Sequence, residues 1–144
     1  MAKFNFKLQN LLNIKEKLEK QKKNELGQAI EKLNRYKKQK SDVEDAKKDI
    51  FNDMKKEINI KISASMIKSS NDYVAFLKKV LIQLQKNINI CEKEVDKKRE
   101  ELLKIVTERK MYEKLREKDL EEYTKTENQK EQKNLDEVAL RKYK

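Results

Sequence analysis

The chain has 144 residues, of which 44 % are charged and 36 % hydrophobic, and its formal net charge is +11. It contains one glycine, one cysteine, no proline, no tryptophan and no histidine. This composition excludes an intramolecular disulfide and histidine-based metal or acid–base chemistry, and it argues against a compact multilayer domain. It favours long helices or a coiled coil, because Lys, Glu, Leu and Gln are good helix formers.

Helix one is predicted from about Asn5 to about Ile58. Its core positions alternate at steps of three and four residues, which is the heptad spacing of a coiled coil. They are Leu26, Ala29, Leu33, Tyr36, Lys40, Val43, Lys47, Ile50 and Met54. Because Lys40 and Lys47 occupy two of these positions, the predicted core is imperfect.

The chain is predicted to reverse within residues 59–71, where the dense charge pattern stops. This segment has two lysines, no acidic residue and four serines. Ser and Asn compete for backbone hydrogen bonds and so favour turns and caps over helix interiors. A short helix that uses Met66 and Ile67 is one expectation for this connection.

Helix two is predicted from about residue 72 to about residue 140. Its core positions are Tyr73, Leu77, Val80, Leu84, Ile88, Cys91, Val95, Lys98, Leu102, Ile105, Arg109 and Tyr112. Two consecutive steps of four, from Val80 through Leu84 to Ile88, predict a stutter that locally unwinds the supercoil. Cys91 occupies a core position, which indicates a small buried hydrophobe rather than a nucleophile.

The two helices are predicted to pair in an all-α antiparallel coiled-coil hairpin, a single domain over residues 1–144. With the reversal centred near residue 65, the numbers of facing residues sum to roughly 131. Val43 then faces Ile88, whereas Lys22 falls near Arg109 in a like-charge contact. Helix two is the longer arm, so about 15 of its residues extend past helix one. This extension, Glu127–Lys144, is expected to fray or to bind a partner.

No catalytic or ligand-binding motif is present, and we predict a non-enzymatic protein with no cofactor, metal or small-molecule substrate. Adjacent acids such as Asp136 and Glu137 diverge by about 100° on a helix and cannot share a proton. Basic and acidic residues alternate, which is typical of solvated helix faces and disfavours a nucleic-acid interface. The chain has no apolar run as long as a signal-peptide core or a membrane span, which predicts a soluble cytoplasmic protein.

Apolar residues in excess of the core positions flank the connection. They are Phe51, Val74, Phe76, Leu81 and Ile82. Two alternatives remain open: residues 59–71 fold over them, or they form an exposed patch that binds a partner. The first turns of helix one are also crowded with apolar residues and are expected to face a partner.

Three short patterns resemble the family of the flagellar export protein FliJ. They are Phe4-x-Phe6-x-Leu8-x-x-Leu11-Leu12 followed by Lys15-Glu16, Tyr73-x-x-Phe76-Leu77, and Glu127-x-x-x-Glu131-Gln132-Lys133-x-Leu135-Asp136-Glu137-x-Ala139. The first is similar to the family's opening, the second to the start of its second helix, and the third to its C-terminal pattern. Chain length and basic charge are similar as well.

The resemblance implies a hairpin like the stalk of rotary ATPases, located in the cytoplasm against the inner face of the cell membrane at the flagellar base. The implied partners are the hexameric flagellar export ATPase, the membrane export gate protein and export chaperones. The implied ATPase-facing residues are Phe4, Phe6, Leu11, Leu12, Leu135, Asp136 and Glu137. The implied gate-facing residues are Tyr73, Phe76, Val80, Val43 and Ile50. Alternatives are a coiled-coil chaperone or a stalk of a virulence type III secretion system, and a basic coiled coil that binds nucleic acid.

Overall fold

A computed structural model describes residues 3–57 and 64–143. They form two α-helices, α1 (Gln9–Glu57) and α2 (Ala64–Lys142), and these described residues contain no strand. Lys15 and Lys22 of α1 contact Glu108 and Glu101 of α2, in that order. Because the numbers rise along one helix and fall along the other, the helices pair antiparallel, and the predicted all-α hairpin is confirmed.

The N-terminal residues form a turn before α1 begins at Gln9, four residues after the predicted start near Asn5. The amide of Gln9 donates to the carbonyl oxygen of Phe6 at 3.1 Å, and the amide of Leu12 donates to that of Leu8 at 3.0 Å. Only 5 % of Phe6 is exposed. Burial of this ring favours the turn over a continuous helix.

α2 begins at Ala64, eight residues before its predicted start. Residues 64–71, expected in the turn, are therefore helical, and the expectation of a separate short helix around Met66 and Ile67 is wrong. Serine costs only about half a kcal/mol per residue inside a helix, and the burial of Val74 and Leu77 on the next turns offsets this. The remainder of the predicted turn, residues 59–63, lies outside the described residues.

The chain divides into two compact units. Unit 1 combines the N-terminal residues up to Lys22 with α2 from Glu101 onward, and unit 2 is Lys23–Glu100. In each unit a segment of α1 packs antiparallel on a segment of α2. The expectation of a single domain stays a prediction.

The interior of unit 2 is apolar. Ala29, Leu33, Ile88, Cys91 and Val95 form a buried cluster, against which Leu26, Ile30 and Tyr36 pack. The predicted core positions of α1 are all buried or half-buried. Cys91 is a buried free thiol, as its core position predicted.

The predicted core position at Tyr73 is wrong. Tyr73 is 50 % exposed, whereas the neighbouring Val74 is only 6 % exposed. Leu81 is half-buried beside Val80. The series Val74, Leu77, Leu81, Leu84 and Ile88 advances by regular steps of three and four, so the predicted stutter is not needed.

The register of the hairpin differs by about one heptad from the predicted one. Three ion pairs, Lys15–Glu108, Lys22–Glu101 and Glu25–Lys98, have residue numbers that sum to 123. A heptad core repeats every seven residues, so a shift of about seven again places apolar residues opposite apolar ones. The predicted like-charge contact of Lys22 with Arg109 is therefore wrong, because each of these cations pairs with glutamate.

The C-terminal arm, which we define as residues 128–143 of unit 1, is exposed at every residue. It remains helical as far as Lys142. The prediction that about 15 residues of helix two extend past helix one agrees with this exposure.

Candidate functional surfaces

An aromatic contact holds the N-terminal residues of unit 1 on α2. The ring centroids of Phe4 and Tyr123 are 5.5 Å apart with the planes tilted by 52°, and Arg116 Cζ lies 5.7 Å from the Phe4 centroid. Arg116 Nε also donates to Gln9 Oε1 at 3.1 Å. A ring pair and a cation–π contact of this kind each contribute about 1 kcal/mol. Phe4 is therefore half-buried, with a defined structural partner.

Two of the residues implied to face the ATPase are interior residues. Phe6 is 5 % exposed and Leu12 is 4 % exposed, whereas Leu11 is 42 % exposed. A contact of Phe6 or Leu12 with a partner stays a prediction, and substitutions at both positions will act first through packing. Of the N-terminal residues implied to face the ATPase, Leu11 is the one that the structure leaves accessible.

The remaining ATPase-facing residues lie on the C-terminal arm. Leu135 is 64 % exposed, and Asp136 and Glu137 are also exposed. Leu135 is twelve residues beyond Tyr123, which is about 18 Å along the helix. The Phe4 contact and the Leu135 group are thus separate surfaces of unit 1. The arm also exposes Val138, Leu140 and Tyr143. These three residues are not among the predicted ATPase-binding residues, although the absence of a facing residue on helix one could have identified them.

The residues implied to face the gate divide into an exposed pair and three half-buried residues. Tyr73 and Phe76 are 50 % and 57 % exposed, and their rings stack with centroids 6.3 Å apart and planes 23° from parallel. Val80, Val43 and Ile50 are half-buried. The structure therefore assigns Tyr73 and Phe76 to an exposed aromatic pair and the other three mainly to packing.

Three of the five apolar residues predicted in excess near the connection are exposed, whereas Val74 is buried and Leu81 is half-buried. Phe51, Phe76 and Ile82 are 42 %, 57 % and 60 % exposed. Met66 and Ile67, which were expected to cover them in one alternative, are themselves exposed. The described residues therefore favour the alternative of an exposed patch.

Charged side chains form several close contacts in unit 1. Lys15 Nζ donates to Glu108 Oε2 at 2.6 Å. Arg109 Nη1 donates to Glu113 Oε1 at 2.6 Å, and Arg109 Nε forms an ion pair with Glu19. Glu19 is the one charged residue among the described residues that is buried. The cross-helix pairs Lys15–Glu108 and Arg109–Glu19 were not predicted from the sequence, although a comparison of charge pairing across heptad-related registers identifies them.

The pKa shifts of Lys15, Glu108 and Arg109 follow from these contacts. The hydrogen bond with Glu108 raises the pKa of Lys15 above its usual value, against the opposing effect of desolvation. The same bond lowers the pKa of Glu108 below its usual value. Hydrogen bonds with Glu113 and Glu19 raise the pKa of Arg109, so its guanidinium stays charged.

Within residues 3–57 and 64–143, no group of three or more His, Cys, Asp or Glu side chains is arranged to hold a metal ion. In the same ranges, neither helix has a stretch that is both long and apolar enough to cross a membrane.

The fold and these surfaces define a helical-hairpin protein whose accessible features are a C-terminal arm and an exposed aromatic pair. The profile of the family described as "Flagellar FliJ protein" matches residues 4–144. The chain therefore belongs to the FliJ family, whose members are non-catalytic components of flagellar protein export, and the family assignment from the three sequence patterns is confirmed. Searches of curated proteins and of solved structures returned no match.

Proposed function

We propose that this protein is a stalk of the flagellar type III export apparatus that binds the hexameric export ATPase and couples it to the membrane export gate. Membership of the FliJ family supports the export role. The observation that carries ATPase binding is the C-terminal arm, which is helical and exposed at every residue from 128 to 143. A helix segment without tertiary packing is marginal in water, so a protein partner on this arm would stabilise it.

The ATPase-binding surface consists of the apolar residues of the arm with Asp136 and Glu137 beside them. Leu135, Val138 and Leu140 are each more than half exposed. Burial of such side chains in a partner is worth about 1.5–3 kcal/mol each before the cost of association. The protein catalyses no reaction in this proposal: it binds the ring, promotes its assembly and thereby raises the ATPase rate of its partner.

The gate-binding surface is the aromatic pair Tyr73–Phe76. Two stacked, half-exposed rings present rigid apolar area at low entropic cost, which is a property of binding hot spots. The protein would act in the cytoplasm at the inner face of the membrane and would also meet export chaperones there. Its net charge of +11 would steer it toward acidic partners, an effect that salt weakens.

ATPase coupling is tested by measuring the rate of the purified export ATPase with increasing amounts of the chain. The double variant Leu135→Gln/Val138→Gln should lose at least tenfold in stimulation, because both side chains are exposed and carry the contact. The matched control is Leu103→Gln, a leucine of unit 1 that is 66 % exposed. Failure of the wild-type chain to bind the ring or to raise its rate would refute the proposal.

Gate binding is tested with Phe76→Ala. The affinity for the cytoplasmic part of the gate should fall about tenfold, while the free energy of unfolding changes by less than about 0.5 kcal/mol. Ile90→Ala, which removes a side chain that is 64 % exposed, serves as the control. Equal losses of affinity in both variants, or a large loss of stability in Phe76→Ala, would contradict the assignment.

A further inference from the structure

A stretch of α2 in unit 2 carries lysines but no acidic residue. No acidic residue occurs between Tyr73 and Cys91, although 44 % of the whole chain is charged. Asp72 and Glu92 bound the stretch. Residues 64–71 of the same helix also lack acids, whereas acids and bases interleave along α2 from Glu92 onward.

Three large apolar residues project from this part of α2 without cover. Phe76, Ile82 and Ile90 are 57 %, 60 % and 64 % exposed. At about 100° per residue they fall within a sector opposite the buried residues Leu77, Leu84 and Ile88. They therefore take no part in the packing of α2 against α1.

Three lysines lie in the same sector. Lys79, Lys86 and Lys93 are spaced by seven residues, are all exposed, and fall between the columns of apolar side chains. Within the described parts of the chain, no ion pair or side-chain hydrogen bond involves them, whereas Lys15, Lys22 and Lys98 each bond to a glutamate of the opposite helix. The cations of this sector thus carry charge that the protein itself does not neutralise.

We propose that this basic–apolar face, formed by Phe76, Lys79, Ile82, Lys86, Ile90 and Lys93, binds the surface of an anionic lipid bilayer. The helix would lie parallel to the membrane plane. The lysines would contact lipid phosphates while the phenylalanine and isoleucines enter the boundary between headgroups and acyl chains. The face spans about 26 Å along the helix, which is long enough to cover several headgroups.

The arrangement fits a lipid surface better than it fits a protein helix or a nucleic acid. A partner helix packs on a continuous apolar stripe, whereas here lysines separate the two apolar columns. A nucleic-acid duplex would use the lysines but leave Ile82 and Ile90 in water. A bilayer surface supplies anionic and apolar regions side by side over a flat area, and it accepts both residue types. Phe76 also belongs to the proposed gate-binding pair, so the variants that test this inference change only the lysines and isoleucines, and the inference does not depend on ATPase or gate binding.

The test is co-flotation of the purified full chain with vesicles of phosphatidylcholine, with or without about 30 % phosphatidylglycerol. We expect binding to the anionic vesicles, little binding to the neutral ones, and release when salt rises from about 0.1 M to about 0.5 M. The triple variant Lys79→Gln/Lys86→Gln/Lys93→Gln should bind at least tenfold more weakly, because each lysine near an anionic surface contributes roughly a fivefold factor.

Two further variants distinguish this face from a general effect of charge. Lys38→Gln/Lys48→Gln/Lys55→Gln removes the same charge from exposed positions of α1 in unit 2, outside the basic–apolar face, and should retain most of the binding. Ile82→Gln/Ile90→Gln keeps every lysine and should also weaken binding at least tenfold. Circular dichroism confirms equal helicity in all variants.

Three outcomes would overturn the proposal. The first is failure of the wild-type chain to bind anionic vesicles. The second is an equal loss in the α1 control variant, which would mean that net charge alone attracts the chain. The third is unchanged vesicle binding in both face variants while the same variants lose binding to an acidic protein of the export apparatus, which would identify the face as a protein contact.

Discussion

Units 1 and 2 are each built from a segment of α1 and a segment of α2, but different kinds of residue pack between the two helices in each unit. Unit 2 buries a cluster of apolar residues centred on Leu33, Ile88 and Cys91. Unit 1 places Lys15 against Glu108 and Arg109 against Glu19. Apolar burial supplies most of the stability of a coiled coil, whereas charged pairs supply direction and register.

The difference matters because an apolar heptad core cannot define its own register. A shift of seven residues leaves apolar side chains opposite one another. In the register first predicted, Arg109 would meet Lys22, whereas in the structure Arg109 meets Glu19 and Lys22 meets Glu101. Cross-helix charge pairs, including Glu25–Lys98 in unit 2, thus discriminate between registers that the apolar residues alone would accept.

The largest effect is expected from a cavity in the apolar interior of unit 2. Ile88→Ala should lower the free energy of unfolding by about 2–4 kcal/mol, since Ile88 is 4 % exposed within the cluster. Ile90→Ala, two residues away at 64 % exposure, should cost less than about 0.5 kcal/mol. Urea denaturation followed by circular dichroism measures both, and similar losses would show that the interior of unit 2 is not where stability resides.

A smaller effect is expected in unit 1 from Arg109→Leu, which leaves the buried Glu19 without the guanidinium. The expected loss is about 1–3 kcal/mol, because the buried carboxylate of Glu19 loses its cross-helix guanidinium while this site retains some solvent. The double variant Glu19→Leu/Arg109→Leu should recover to within about 1 kcal/mol of wild type.

The double variant Glu19→Leu/Arg109→Leu also tests whether this ion pair selects one register of the two helices over another. Spin labels at the exposed Lys20 and Lys110 should give one distance in the wild-type chain. In the double variant a second population should appear, corresponding to a slip of about 10 Å along the helices, which is one heptad. A single unchanged distance in the double variant would show that other contacts define the register.

The pH dependence of unit 1 should reveal the Lys15–Glu108 pair. The folded-state pKa of Glu108 lies below the usual 4.5, so its stabilising contribution is complete above pH 4.5 and is lost as pH falls through the lowered value. Lys15 behaves in the opposite sense: its contribution is complete below pH 10.5 and is lost as pH rises through the raised value.

Glu108→Gln should therefore be less stable than wild type at pH 7, with a difference that shrinks in acid. Thermal melts between pH 2 and pH 7 measure this difference. Glu100→Gln, at an exposed position just over two turns earlier in α2, is the matched control. An undiminished difference at low pH would mean that the carboxylate charge of Glu108 is not the stabilising feature.

The smallest effect on stability is expected from removal of the C-terminal arm. Truncation after residue 127 should change the melting temperature of the hairpin by no more than about 2 °C, because every removed residue that the structure describes is exposed. Far-ultraviolet circular dichroism should show a loss of helix only in proportion to the shorter length. A large fall in melting temperature would show that the arm supports unit 1, and would weaken its assignment as a binding segment.

Much of the candidate functional surface could be predicted from residue patterns in the sequence. The excess of apolar residues around Phe76 predicted an exposed patch as one alternative, and the greater length of helix two predicted the unpaired arm. The roles of Phe6 and Leu12 could not be anticipated, because a hydrophobic residue near a chain end looks the same whether it packs inward or faces a partner. Only the turn before Gln9 decides that Phe6 is interior.

Helix content, antiparallel pairing and the unequal arms follow from local pattern alone, because heptad spacing, helix propensity and the charge gap after Glu57 each depend on residues close together in the chain. Register and the start of α2 depend on contacts between residues far apart. Tertiary packing selects Val74 over Tyr73 as the buried residue and extends α2 back to Ala64. The apolar residues allow several registers that differ by seven residues, because apolar side chains recur at that spacing. The pairing of Arg109 with Glu19 occurs in one of these registers, since charge, unlike apolarity, distinguishes between positions seven residues apart.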